Sequence, residues 1–141
     1  MPDTTEIVIK EVPLADVWTI RHQVMYPLET LDFVKLEADA AGLHWGVYND
    51  NTLVSVISVF IEGNSLQFRK FATIVTQQGK GYGSALLQYT MDWAAANHIE
   101  SIWCNARTTA TGMYRRFGMN PTGEPWQKYG LEFIKMEKQL L

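Results

Sequence analysis

The chain has 141 residues, the usual size of one domain, and 47% of them are hydrophobic, enough to bury a core. Six Phe, six Tyr and five Trp exclude an intrinsically disordered chain. Twelve basic residues against fifteen acidic ones leave a net charge of −3, which argues against a general nucleic-acid binder. The N-terminus lacks a basic start followed by an apolar core, so no signal peptide is expected. Glu6 to Val12 alternates as a first strand, and Pro13 ends it. Leu14, Val17, Trp18, Ile20, Arg21 and Val24 trace a helix that stops before Pro27. Thr30 to Ala41 reads as a shorter helical or irregular segment, broken by Gly42. Three strands follow, Leu43 to Tyr48, Leu53 to Ile61 and the run up to Val75. They are separated by the turn signals Asn49-Asp50-Asn51 and Glu62-Gly63-Asn64-Ser65. A helix spans about Gly81 to Asn97, and a strand His98 to Asn105. Another helix runs from about Thr108 to Phe117 and is stopped by Gly118. Pro121, Gly123 and Pro125 mark a loop, Leu131 to Met136 a last strand, and Glu137 to Leu141 its charged end or tail. The order β-α-(α)-β-β-β-α-β-α-β predicts a single α/β (α+β) domain over residues 1–141, with a mixed, mostly antiparallel sheet and helices on both faces. The lone Cys104, in an apolar run, excludes an internal disulfide and points to a buried thiol in a reducing, cytoplasmic setting. No apolar run approaches the length of a membrane span.

The stretch Gln78-Gly79-Lys80-Gly81-Tyr82-Gly83-Ser84 carries the strongest chemical signal. It follows a strand and opens a helix whose apolar positions are Leu86, Leu87, Met91, Ala94 and Ala95. Three glycines in five residues allow positive φ and close backbone approach. The N–H groups of a first helical turn lack intrahelical partners and carry the positive end of the dipole. Together these make a cradle for phosphate. A Walker loop needs a terminal Gly-Lys-Ser/Thr, and Gly83 is followed by Ser84 and Ala85. The glycine spacing also differs from the G-x-G-x-x-G of dinucleotide-binding folds.

What the stretch does match is Q-x-x-G-x-G, at Gln78, Gly81 and Gly83. One helix and one strand later come Arg107, Ala110, Tyr114 and Gly118-Met119, close to a pattern N-x-x-A-x-x-x-Y-x-x-x-G-F. On these residues the chain resembles the Gcn5-related N-acetyltransferases, the GNAT superfamily, over about residues 43 to 136. The resemblance implies an acetyl-CoA-dependent N-acetyltransferase that acts without a metal. The acetyl group would pass to a primary amine of a small molecule or peptide by direct attack in a ternary complex. It further implies that Gln78, Gly79, Lys80, Gly81, Tyr82, Gly83 and Ser84 hold the pyrophosphate. Phe71, Ala72 and Thr73 would pair through their backbone with the pantetheine arm and thioester carbonyl, on a strand that splays from its neighbour. Ala110 would let the arm pass, and Tyr114 would protonate the departing thiolate. Arg107 departs from the family's Asn and could reach a phosphate or the acceptor with its planar fork of donors. The other reading on the same fold is a non-catalytic acyl-CoA-binding or sensor domain. Neither nucleic acid nor membrane is expected as a partner, and the chain is read as a monomer or homodimer.

The base that deprotonates the amine is open at this level. His44, whose ordinary pKa lies near neutrality, Glu37, Asp39 and Glu62 are candidates, with a water chain as the alternative.

Overall fold

A computed structural model describes residues 6–141; the N-terminal residues that bear on a signal peptide lie mostly outside that range. The elements are β1 (Ile7–Glu11), α1 (Leu14–Met25), β2 (Leu43–Asn49), β3 (Thr52–Glu62), β4 (Ser65–Thr73), α2 (Tyr82–Ala96), β5 (Ser101–Arg107), α3 (Thr111–Arg116), β6 (Asn120–Lys128) and β7 (Leu131–Gln139). Short 3₁₀ turns occupy Leu31–Val34, Glu37–Ala41, Val75–Gln77 and Thr108–Ala110. The strands form one seven-stranded sheet in the order β1-β2-β3-β4-β5-β7-β6. Only the β4–β5 pair is parallel.

Two helices cover opposite faces. Ile20 of α1 packs on Val56 and Ala72, whereas Leu86, Leu87, Met91 and Ala94 of α2 pack on Ile57, Val59, Leu66 and Phe68. Val56 and Ile57 are successive residues of β3, so they point to opposite faces of the sheet. Gly46 lies where β2 passes beneath its neighbours: a Cβ there would stand 2.6 Å from Leu53 Cδ1 and Val12 Cγ2 and 2.8 Å from the Ser55 carbonyl.

A buried polar network pins α1 and the 3₁₀ turns to β3. Arg21, 0% exposed, donates to both Asp39 carboxylate oxygens (2.8 and 2.9 Å), to Ser58 Oγ (2.7 Å) and to the Val34 carbonyl (3.0 Å). Asp39 also accepts from Trp18 Nε1 (2.9 Å) and the Leu36 N–H (2.8 Å). His44 Nε2 donates to the Asp39 carbonyl at 2.9 Å, which leaves Nδ1 to accept from Ser58 Oγ at 2.8 Å. These bonds hold the members in one geometry, with Arg21 Nε alone of its guanidinium nitrogens left unpaired.

The structure differs from the sequence expectation at β6 and in the bounds of β4, of β5 (Ser101–Arg107, expected His98 to Asn105) and of α3, which a 3₁₀ turn precedes. The segment around Pro121, Gly123 and Pro125 is not a loop but β6, at the edge of the sheet and paired only with β7. An edge strand needs no N–H on its outer side, so it accepts proline, and a register shift between Thr122 and Trp126 absorbs Gly123 and Pro125 as a bulge. Of the two readings of Glu137 to Leu141, strand end or tail, the first holds as far as Gln139, because Glu137 to Gln139 pair with Ser101 to Trp103 of β5. The strand expected up to Val75 stops at Thr73, and Val75–Gln77 coils into the glycine turn.

Candidate active site

β4 and β5 pair over only three positions, Ser65 with Ser101, Leu66 with Ile102 and Gln67 with Trp103. Beyond them β4 continues to Thr73 and β5 to Arg107 without pairing to each other. A bulge drives the divergence. Ser58 faces Arg69 and Val56 faces Ala72, so Lys70 and Phe71 together oppose the single residue Ile57. Lys70 takes φ +52° there, a left-handed conformation that costs a non-glycine residue about 1–2 kcal/mol. The outcome is an open sheet edge in the middle of the molecule, with backbone donors and acceptors that a bound amide chain can pair.

A cavity of about 540 Å³ lies on the α2 side of this opening. Its floor is Phe71 and Thr73 of β4; its rim is Gln77, Gln78, Gly79, Gly81, Tyr82, Gly83 and Ser84. Ala110, Met113 and Tyr114 close it from the far side. Gly81, the residue before α2, has φ +87°, and Gly79 has φ +77°. A Cβ on either would meet nothing within 4 Å, so the cradle stands open above both. No side chain caps α2, so the N–H groups of its first turn remain for a ligand. Gln78 Nε2 donates to the Thr73 carbonyl at 3.0 Å and ties the loop back to the end of β4. Asn49 Nδ2 donates to the Tyr82 hydroxyl at 2.8 Å and steadies the first turn.

Tyr114 is held from both ends. Its ring lies 5.8 Å from that of Phe68. Its carbonyl accepts the Met119 N–H at 3.0 Å while Gly118, at φ +86°, donates to Arg115 at 2.9 Å, a glycine-terminated helix end. Burial, with a smaller contribution from Cys104 nearby, holds the Tyr114 phenol well above its ordinary pKa. Burial pushes the Cys104 thiol, 3% exposed, up to about 12.

Three residues expected at the site do not line this cavity. The Ala72 side chain turns to the α1 face and packs on Ile20 and Val56, so only its backbone faces the opening. Lys80 is exposed and donates to Gln77 Oε1 at 3.3 Å. Arg107 is exposed at the end of β5, and strand alternation puts it on the face of Asn105, away from buried Cys104 and Ala106.

Of the candidate bases, His44 and Asp39 are locked in the Arg21 network. Burial alone would raise the Asp39 carboxyl, but hydrogen bonds from Arg21, Trp18 and the Leu36 N–H, with the Arg21 charge, bring it down to about 2. Glu37 and Glu62 are exposed, and none of the four lines this cavity; Glu62 lines a separate hollow with Ser65, Gln67 and Trp103 at the paired end of β4 and β5. Sequence reasoning missed Gln77 and Met113 in the first cavity. It missed more of a second one, about 260 Å³, on the α1 side of β4. That cavity takes Met25 and Tyr26 from the end of α1, Gln67 to Lys70 from β4, Asn105 from β5, and Trp126, Lys128, Tyr129 and Phe133 from the β6–β7 hairpin. The sequence signal for it was the aromatic and basic content of residues 126–133, which run from just after the segment read as a loop into the start of the last strand.

Comparison with known proteins gives one consistent result. The family model described as an acetyltransferase (GNAT) domain matches residues 19–140. The protein named uncharacterized N-acetyltransferase YitI of Bacillus subtilis (strain 168) is 29% identical over 142 residues, covering 94% of this chain and 95% of its own. A candidate N-acetyltransferase of Lactobacillus plantarum superposes with a TM-score of 0.84 at 20% identity, over 99% of this chain and 100% of that one. The ribosomal-protein-S18-alanine N-acetyltransferase of Escherichia coli superposes with a TM-score of 0.81 at 15% identity, over 96% of this chain and 94% of that one. At these identities the two structures speak to the fold.

Proposed function

The chain belongs to the acetyltransferase (GNAT) family and is an acyltransferase, and from that premise we propose that it transfers an acetyl group from acetyl-CoA to a primary amine of a small molecule or peptide by direct attack in a ternary complex. The observation that carries this reading is the coincidence of three features around one cavity: the unpaired edge of β4, the uncapped start of α2 and the Tyr114 ring. Acetyl-CoA supplies the activated acetyl group as a thioester. The α2 first turn and the open backbone at Gly79 and Gly81 bind its pyrophosphate, because they present N–H donors and the positive end of a 15-residue helix. The backbone of Phe71, Ala72 and Thr73 pairs with the amide arm and polarises the thioester carbonyl. The Tyr114 hydroxyl holds a proton at neutral pH and gives it to the departing sulfur. No carboxylate or imidazole lines either cavity, so water carries the proton of the incoming amine to bulk. The lone buried thiol of Cys104 supports a reducing, cytoplasmic setting.

The test is calorimetric titration with CoA, followed by thiol release from acetyl-CoA in the presence of amines. Saturable CoA binding and amine-dependent thiol release are expected. A folded protein that neither binds CoA nor releases thiol overturns the reading.

A further inference from the structure

The α1-side cavity is lined by Gln67 to Lys70 of β4, directly before the Phe71 and Thr73 that line the α2-side cavity, so it offers an amine a way to the strand opening from the opposite face. We propose that this cavity selects a small primary amine that also carries an oxyanion, a carboxylate or a phosphate, held by Arg69, Lys70 and Lys128. The proposal rests on the acetyl-transfer reading above and names the acceptor class for it.

The lining contains three cations and no carboxylate, in a chain whose net charge is negative. The ion pairs among the described residues are Arg21–Asp39, Lys35–Asp32 and Lys135–Glu137, so the three cavity cations stay without a carboxylate partner there. Strand alternation excludes Glu132 of the hairpin, and Glu124, in the bulge, does not line the cavity. Trp126 and Phe133 are register partners that line the cavity, whereas the next pair, Gln127 and Glu132, points to the other face and bonds to itself at 3.4 Å. Lys70 lies at the bulge in a strained left-handed conformation that costs stability, and its ammonium is anchored in the cavity wall by the Tyr26 hydroxyl at 3.0 Å. Arg69 adds a planar fork suited to an oxyanion. The Trp126 and Phe133 rings stack at 6.0 Å and 23°, giving one wall a flat apolar face for the body of the acceptor. A volume of about 260 Å³ lies just below the usual range for drug-sized ligands, which fits a small molecule better than a folded peptide segment. A polyamine would meet only like charge here, and like charges at such range repel.

The experiment compares matched acceptors by thiol release from acetyl-CoA: phenylalanine against phenethylamine, and phosphoethanolamine against ethanolamine, with spermidine as the polycation. The anionic member of at least one pair is expected to exceed its partner in kcat/KM by about tenfold or more, since a charge-assisted hydrogen bond is worth about 1.5–3 kcal/mol. Which pair shows the larger ratio tells carboxylate from phosphate. Arg69→Gln and Lys128→Gln should collapse that ratio while calorimetric CoA affinity holds. In parallel, binding of the same amines to the CoA-loaded protein is read by calorimetry, which needs no turnover. CoA binding with spermidine preferred, with neither ratio above one, or with ratios unmoved in both variants overturns this proposal. Failure to bind CoA at all overturns the acetyl-transfer reading instead.

Discussion

The ring of Tyr114 lies 5.8 Å from that of Phe68, tilted by 45°, at the point where β4 leaves β5. Phe68 also meets Phe71 edge-on at 6.1 Å, so the three rings share the α2 face of β4, where Phe71 and Tyr114 line the cavity. The expected acid is thus seated on the strand that separates the two cavities.

Replacing Tyr114 by Phe keeps that ring contact and removes only the hydroxyl. General acid catalysis contributes about 10²–10⁴-fold, and a thiol is a fair leaving group, so kcat should fall by about tenfold or somewhat more. CoA affinity and melting temperature should stay close to wild type. Because burial raises the Tyr114 pKa, the wild-type rate should show no loss from this group below pH about 10, the ordinary phenol value. Full turnover in Tyr114→Phe with a good acceptor would leave Tyr114 a packing residue.

Gly81→Glu places a side chain and a negative charge where a Cβ now meets open space above the start of α2. The conformational cost at φ +87° is about 1–2 kcal/mol, so the protein should remain folded. CoA affinity should drop by at least about tenfold through repulsion of the pyrophosphate. Calorimetry giving an unchanged Kd in a folded variant would remove the α2 start from the binding site.

Acid should weaken the fold through Asp39. Its folded pKa, about 2, lies below the ordinary 3.8, so the ionised form is favoured in the folded state. That contribution, about 1–2 kcal/mol, is fully present above pH 4 and is lost as the pH falls from there toward 2. Arg21→Met, which leaves the buried carboxylate uncompensated, should cost about 3–5 kcal/mol at neutral pH. Denaturation midpoints followed from pH 7 to pH 2 would measure both; a flat profile in wild type would contradict the first.

Gly46→Ala should destabilise by about 1–3 kcal/mol, as overpacking does, because the added carbon meets two side chains and a carbonyl within 2.8 Å. Thermal melting would show it as a lowered Tm with activity retained below the transition.

Much of this protein was determined by its sequence alone, because the relevant signals are local. Periodicity of two and of 3.6 marked β1 to β5, α1 and α2, and Gly118 marked the end of the α3 segment, since these patterns depend only on neighbouring residues. The glycine turn was readable because positive φ at Gly79 and Gly81 is a requirement of the chain itself. β6 was not readable, because proline is forbidden or tolerated according to which side of a strand has a neighbour. The site divides in the same way. Gln78 to Ser84, Ala110 and Tyr114 stand at fixed spacing around the starts of α2 and α3, and most of them meet in one cavity. Only the tertiary structure decided that His44 and Asp39 are tied to Arg21, and that a bulge at Lys70 opens the sheet. It alone brought Arg69, Lys70 and Lys128 to one cavity from a strand and a hairpin more than fifty residues apart. Hydrogen-bond closure and charge convergence depend on distances between segments, and those distances exist only once the chain has packed.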